Sequence, residues 1–436
     1  VTGLIILVVI IMGITALINK YTPTKKTEDL KEYFNISSDD EAALIVDNEL
    51  SDYKAKIIDK KIYVDYKFVH DSLNSRFYWD ANENVLLYTT ASDIISAAAD
   101  SNSYSVTKQT NDFGYPIVKA TSDSALIALD YVKQYSNITF KSYDDPARIV
   151  ITSKWDEIDS ATVSKSTQVR VKGGIKSPIL KEVKKDDKIT ILDSGDKWDK
   201  IATEDGVIGY IKRKALSESK KTKLTNPDYE EETFTHIKKD KDICLAWNQV
   251  TSQSANSKVP QVISSTKGIN VMSPTWFYLN DNNGNLADIA SKDYVSYCHS
   301  QGIEVWGLFS NFENTDVDAA YVLTHTSTRT TLINQIMSAA FNYELDGVNI
   351  DFENITEAAY GDSYIEFIRE LAIKCHNNGI SLSVDVTVPA SFNKFFNRSD
   401  MANFADYIVI MGYDEHYKGS DAGSVSSIPW VTEGVE

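Results

Sequence analysis

A (β/α)8 barrel of the TIM type is the fold predicted for residues 241–436, because short apolar strands alternate there with longer helical stretches. Ahead of it, shorter runs alternate apolar and polar residues between Asp-, Ser- and Gly-containing turns, the mark of small β-rich modules. The third observation is Leu345-Asp346-Gly347-Val348-Asn349-Ile350-Asp351-Phe352-Glu353, which sets two carboxylates at the end of one strand. The predicted class is therefore α/β: a barrel preceded by a small β-barrel, an α+β module and an N-terminal apolar helix.

The helix comes first. Residues 1–18 are an unbroken apolar and small-residue run ending at Asn19 and Lys20. Such a helix rises ~27 Å, close to a bilayer's hydrocarbon thickness, and predicts a single-pass transmembrane anchor with the remainder extracellular. Thr15-Ala16-Leu17 is a poor signal-peptidase site, so cleavage is the weaker alternative. The sequence starts without Met, and its true N-terminus is expected to lie upstream. Residues 19–34, polar and lysine-rich, read as a stalk.

Residues 35–153 read as an α+β module with a weak internal repeat of strand, short helix, strand, turn, strand. Ile62-Tyr63-Val64, Phe68-Val69, Phe77-Tyr78-Trp79-Asp80 and residues 85–89 recur as residues 126–129, Tyr131-Val132, residues 138–140 and residues 149–152. This pattern resembles the copper amine oxidase N-terminal-like domain, without any copper ligands. Residues 167–216 resemble a bacterial SH3 domain, carried by Val169-Arg170, Pro178-Ile179-Leu180, Trp198-Asp199-Lys200-Ile201 and residues 206–211. That resemblance implies contact with peptidoglycan, with a spacing role as the alternative. Residues 217–240 form a charged linker.

In the barrel, strands are predicted at residues 243–247, 268–278, 304–309, 345–353, 381–388 and 407–411. Helices are predicted at 288–301, 328–343 and 364–377. Nothing matching a seventh or eighth strand follows, so the barrel is expected to be incomplete at its C-terminus.

The fourth strand carries the chemistry. Val348, Ile350 and Phe352 alternate with Asn349, Asp351 and Glu353, and helices on either side predict burial of both faces. Asp351 and Glu353 point the same way. A carboxyl beside another, partly desolvated, has its pKa raised and serves as a general acid near neutral pH. Asn349 cannot ionise, but its amide can donate to Asp351.

The stretch resembles the family 18 glycoside hydrolase signature Asp-Gly-x-Asp-x-Asp-x-Glu, matched at Asp346, Gly347, Asp351 and Glu353, with Asn349 where most chitinases have Asp. Asn at this position is a mark of peptidoglycan- and spore-cortex-type members. The resemblance implies Glu353 as proton donor, with Asp351 orienting a 2-acetamido group whose carbonyl attacks the anomeric carbon. Asp346 and Asn349 join them in the catalytic set. Met411-Gly412-Tyr413-Asp414 is a second match: Tyr413 would aim the acetamido group, and Asp414 and Met411 would line the sugar subsite. Trp247, Trp276 and Trp306 fall near strand ends, where either sugar stacking or helix packing suits them.

A net charge of −18 argues against nucleic acid as a partner. Cys244, Cys298 and Cys375 are scattered, and the six histidines form no ligand spacing, so no metal or cofactor is expected. The predicted function is hydrolysis of β-1,4 bonds beside N-acetylglucosamine, in peptidoglycan or spore cortex. Chitin is the enzymatic alternative, and an inactive glycan-binding wall protein the alternative of another class.

Overall fold

The computed structural model describes residues 2–353, 355 and 360–435. Its elements group into two units, residues 1–74 with 121–231 and residues 75–120 with 232–436.

In the first unit the apolar N-terminal run forms the helix Thr2–Tyr21, as its composition requires. Its described side chains from Ile5 to Ile18 are exposed. Among the described residues, however, no helix is long and apolar enough to cross a membrane. The predicted transmembrane anchor is corrected accordingly. Val1, where that expected anchor begins, lies outside the described residues.

Beyond the helix, the strands Thr139–Tyr143, Arg148–Thr152, Glu41–Val46, Glu49–Ile58, Lys61–Asp65 and Ala125–Ala128 lie in that order in one sheet. A second, antiparallel sheet runs Ile179–Val183, Thr167–Arg170, Ile208–Lys212, Trp198–Thr203, Lys188–Asp193, Glu157–Thr162 and Lys220–Lys223. Phe34, Ala43 and Ile45 share one buried cluster with Val163, Val169 and Ile201. The two stretches read as separate modules thus pack on a common core.

The second unit begins with a meander of five antiparallel strands, Phe77–Asp80, Val85–Thr89, Ile94–Ala98, Ser103–Val106 and Gln109–Asp112. Residues 75–120, read in the sequence as the middle of a 35–153 module, group instead with the barrel segment. Polar side chains account for this. Thr89 Oγ1 donates to Glu366 Oε1 at 2.8 Å, and Thr326 donates to Asp80 Oδ2 through N–H and Oγ1 at 2.7 and 2.6 Å. Beneath them Arg329, fully buried, donates to Glu370 Oε1 at 2.9 Å and to the Leu323 carbonyl at 2.6 Å.

Six parallel strands follow, each bonded to the next in chain order. They are β1 (Leu245–Asn248), β2 (Val271–Leu279), β3 (Glu304–Ser310), β4 (Gly347–Asp351), β5 (Ser381–Thr387) and β6 (Tyr407–Met411). The helices α1 (Lys292–Ser300), α2 (Thr326–Tyr343), α3 (Gly361–His376) and α4 (Arg398–Phe404) intervene. This is the wall of a β/α barrel, with strands close to those read from the sequence. Glu344, left-handed at φ +58°, ends α2 and turns the chain into β4. Every residue of β4 is buried: Val348 and Ile350 join the apolar cluster of Ile336, Phe367 and Leu371, while Asn349 and Asp351 take the opposite face.

Gly347 permits the β3–β4 approach, since a Cβ there would lie 2.6 Å from the Trp306 ring. Gly347→Ala is expected to destabilise by about 1–3 kcal/mol through overpacking, read as a lower urea midpoint with unchanged m.

Candidate active site

Strand β4 delivers its carboxyls to the C-terminal mouth of the wall, where barrel enzymes place their reacting groups. The chain leaves β4 through Phe352, whose ring stacks on Phe367 at 5.5 Å, and the Glu353 N–H donates to Asn311 Oδ1 at 3.1 Å. Both contacts fix where Glu353 emerges. Asp351 is 9% exposed, whereas Glu353 keeps an exposed face. Burial, then the charges of Glu353 and Glu313, push the Asp351 carboxyl up to about 7. Partial burial of its carboxyl, then Asp414 and Glu313, raise Glu353 as well. The two carboxyls predicted to share a site do so.

The segment just past β6 supplies the third group. Tyr413 is 43% exposed, and its hydroxyl donates to Met411 Sδ at 3.1 Å. Burial and then Asp351, Glu353, Asp385 and Asp414 push its phenol up to about 12, so the hydroxyl stays protonated among four acids. Asp414 adopts a left-handed φ of +61°, and Met411 is buried. Asp351, Glu353, Tyr413, Met411 and Asp414 are therefore brought together.

Asn349 sits deeper, fully buried. Its Oδ1 accepts from Trp247 Nε1 at 3.0 Å and Ser273 Oγ at 2.9 Å, and its Nδ2 donates to Asp385 Oδ1 at 2.9 Å. The amide was expected to donate to Asp351; it bonds Asp385 instead, because β5 presents that carboxylate at the right level. Two other expectations are corrected. Asp346 precedes β4 and accepts from the Val305 N–H and His299 Nε2, both at 2.8 Å. Five residues of strand, ~16 Å, separate it from Asp351, so it anchors the far end of β4 instead of joining the catalytic set. Trp276 is fully buried, donates to Asn256 Oδ1 at 2.8 Å and meets Tyr294 edge-on at 4.9 Å, so it packs and cannot stack on a sugar. Trp306 is likewise buried, whereas Trp247 is 40% exposed beside Asn349.

Two residues escaped the sequence reading. Asp385, 2% exposed, is pushed up to about 8 by burial, against the Asn349 hydrogen bond and with Asp351 adding to it. Its signal was the alternation Ser381, Ser383, Asp385 on β5. Glu313, just past β3, accepts from Ser310 Oγ at 2.6 Å and bears electrostatically on Asp351 and Glu353. Among the described residues no group of three or more His, Cys, Asp or Glu could hold a metal ion. The arrangement offers an accessible acid, a buried carboxyl and a neutral phenol within electrostatic reach of one another, a set suited to proton transfer.

Residues 306–430 match the family model Glycosyl hydrolases family 18. Two curated relatives come from Bacillus subtilis. "Uncharacterized glycosylase YvbX" is 24% identical over 170 residues, 36% of this chain and 48% of its own length. "Putative sporulation-specific glycosylase YdhD" is 30% identical over 119 residues, 26% of this chain and 28% of its own. The chain thus spans about half the length of the first and about a quarter of the second. A crystal structure of a chitinase from Chromobacterium violaceum aligns with 20% identity and a TM-score of 0.39, over 44% of this chain and 62% of that one. The matched segment contains Asn349, Asp351, Glu353, Asp385 and residues 411–414.

The raised carboxyls fix a pH dependence of stability. Asp351 and Asp385 ionise later in the folded state, near 7 and 8, than in the unfolded chain near ~3.9. The folded state therefore binds more protons in between, and stability present below ~4 is lost as pH rises towards 8. Asp351→Asn removes one such group. It is expected to flatten the fall in thermal midpoint between pH 5 and 8, an effect on the order of 2–4 kcal/mol at pH 8, measured by calorimetry.

Proposed function

We propose that this protein is a retaining glycoside hydrolase cutting β-1,4 bonds next to N-acetylglucosamine. The observation that carries the reading is that Asp351, Glu353, Tyr413 and Asp414 act electrostatically on one another at the ends of β4 and β6, within the segment matching family 18. Glu353, accessible and with its pKa raised, protonates the glycosidic oxygen. Asp351 accepts the acetamido N–H, and the Tyr413 hydroxyl turns from Met411 to the acetamido carbonyl, aiming that oxygen at the anomeric carbon. Glu353 then takes a proton from the water that opens the cyclic intermediate, which returns the original configuration. Met411 and Asp414 line the sugar subsite, and the exposed Trp247 ring offers an apolar face to a pyranose.

Peptidoglycan or spore cortex is the substrate we favour over chitin. The YdhD relative is named a sporulation-specific glycosylase, and Asn349 suits that subgroup. The 167–216 stretch, read as an SH3-like module, and the 35–153 stretch, read as copper amine oxidase N-terminal-like, would hold the enzyme at the wall. This implies an extracellular, wall-facing catalytic domain.

The test is incubation with purified peptidoglycan, spore cortex and chitin oligomers, with released reducing ends identified by mass spectrometry. N-acetylglucosamine-ended muropeptides are the expected product. Chitin oligosaccharides alone would move the substrate to chitin. Retention on the glycan without any release would make this a glycan-binding protein.

A further inference from the structure

Asp351 and Asp385 occupy neighbouring parallel strands. Asn349 faces Ser383 and Ile350 faces Val384 across β4 and β5. The next position on the shared inward face sets Asp351 beside Asp385. Both side chains are buried, at 9% and 2% exposure. Asp351 Oδ1 and Asp385 Oδ2 are each buried without a hydrogen-bond partner among the described residues. Buried carboxylate oxygens left this way cost several kcal/mol unless a proton or a donor reaches them.

Among the described residues no cation bears on either carboxyl. Glu353 and Glu313 bear on Asp351; Asn349, Trp247 and Glu353 bear on Asp385. Tyr413, just past β6, and Tyr364 from α3 also bear on the pair, both neutral. A site walled by acids and neutral groups cannot hold two adjacent buried anions, but it holds one proton between two carboxyls readily.

We propose that Asp385 is the proton partner of Asp351, one proton lying between Asp351 Oδ1 and Asp385 Oδ2 while Asn349 holds the Asp385 carboxyl in place. This rests on the hydrolase reading only for its use in catalysis. When Asp351 accepts the substrate's acetamido N–H, the shared proton passes wholly to Asp385 and Asp351 becomes the anion; no other bond changes. Asp385 acts through Asp351 and is a positioning residue. The pairing also gives Asn349 a purpose: a carboxamide there can orient Asp385 without competing for the proton.

The test is infrared spectroscopy of the full chain with ¹³C-carboxyl-labelled aspartate, following the protonated-carboxyl band from pH 5 to 9. Wild type is expected to keep the band near neutral pH. Asp385→Asn and Asp351→Asn are each expected to lower its midpoint by at least about one pH unit, because the surviving carboxyl no longer faces a second acid. The second variant reads the same pair should the first fail to fold. An unchanged midpoint in either folded variant would overturn the pairing, whatever the activity. On cortex fragments, Asp385→Asn is expected to lower kcat at least tenfold with KM nearly unchanged, and its kcat–pH profile to lose one ionisation. A wild-type profile in Asp385→Asn would overturn the catalytic use. The expected band shifts in a protein that cleaves no glycan would sink the hydrolase reading and leave the pair standing.

Discussion

On the proposed reading, Glu353→Gln is expected to lower the rate of glycan hydrolysis by about 10²–10⁴-fold, with KM within a few-fold of wild type. Glutamine preserves size and hydrogen bonding but has no proton to give the departing oxygen. Its shape lets it keep the backbone bond to Asn311, which comes from the main chain. The same argument fixes the sign of the pH dependence. The proposed acid works in its protonated form, and burial with Asp414 and Glu313 raises the Glu353 carboxyl above its ordinary value. Activity is therefore expected to fall as pH rises through this raised value, and removing a neighbouring charge with Asp414→Asn should move the fall to lower pH. Rates from reducing-end release across pH 4–9 check both. A glutamine variant as fast as wild type would remove Glu353 from the mechanism.

Arg329→Met destabilises the second unit by about 3–5 kcal/mol, the largest stability effect expected of a single change. Arg329 is fully buried between α2 and α3, and its loss strips Glu370 of its ion-pair partner and Leu323 of a donor. Burial first, against the attraction of Arg329, already pushes Glu370 up to about 7. Without the guanidinium Glu370 survives burial by taking a proton, which is easier at low pH. The loss should consequently be larger at pH 8 than at pH 6, as urea midpoints at the two values will show. Arg329 also lies 5.0 Å over the Tyr78 ring, so the variant should expose residues 75–120 to early proteolysis. Equal midpoints for variant and wild type at pH 8 would contradict this account of the ion pair.

The sequence made the barrel wall legible because period-two apolar runs alternated with helices, and six strands appear close to where those runs lie. The acidic end of β4 was legible for the same reason: alternation alone sets Asp351 opposite Val348 and Ile350. What needed the structure was register. Asn349 reaches Asp385 because of how β4 pairs with β5, which no spacing within either strand reveals. Trp276 misled through a bulge: β2 slips against β3 between Thr275 and Phe277, so nearness to a strand end did not give the ring's direction. Asp346 belonged to the motif but stands at the wrong end of a five-residue strand. The meander at 75–120 looked like part of a repeat, yet Asp80 and Thr89 bond to helices more than 240 residues further on.

The central claim is that the substrate's own acetamido group, aimed by Asp351 and Tyr413, does the attacking. It is tested by one comparison: initial cleavage rates of an N-acetylated glycan oligomer and its de-N-acetylated twin by the same preparation. The account predicts cleavage of the acetylated oligomer, with none detectable for the twin. Equal cleavage of both, or cleavage of neither, would contradict it.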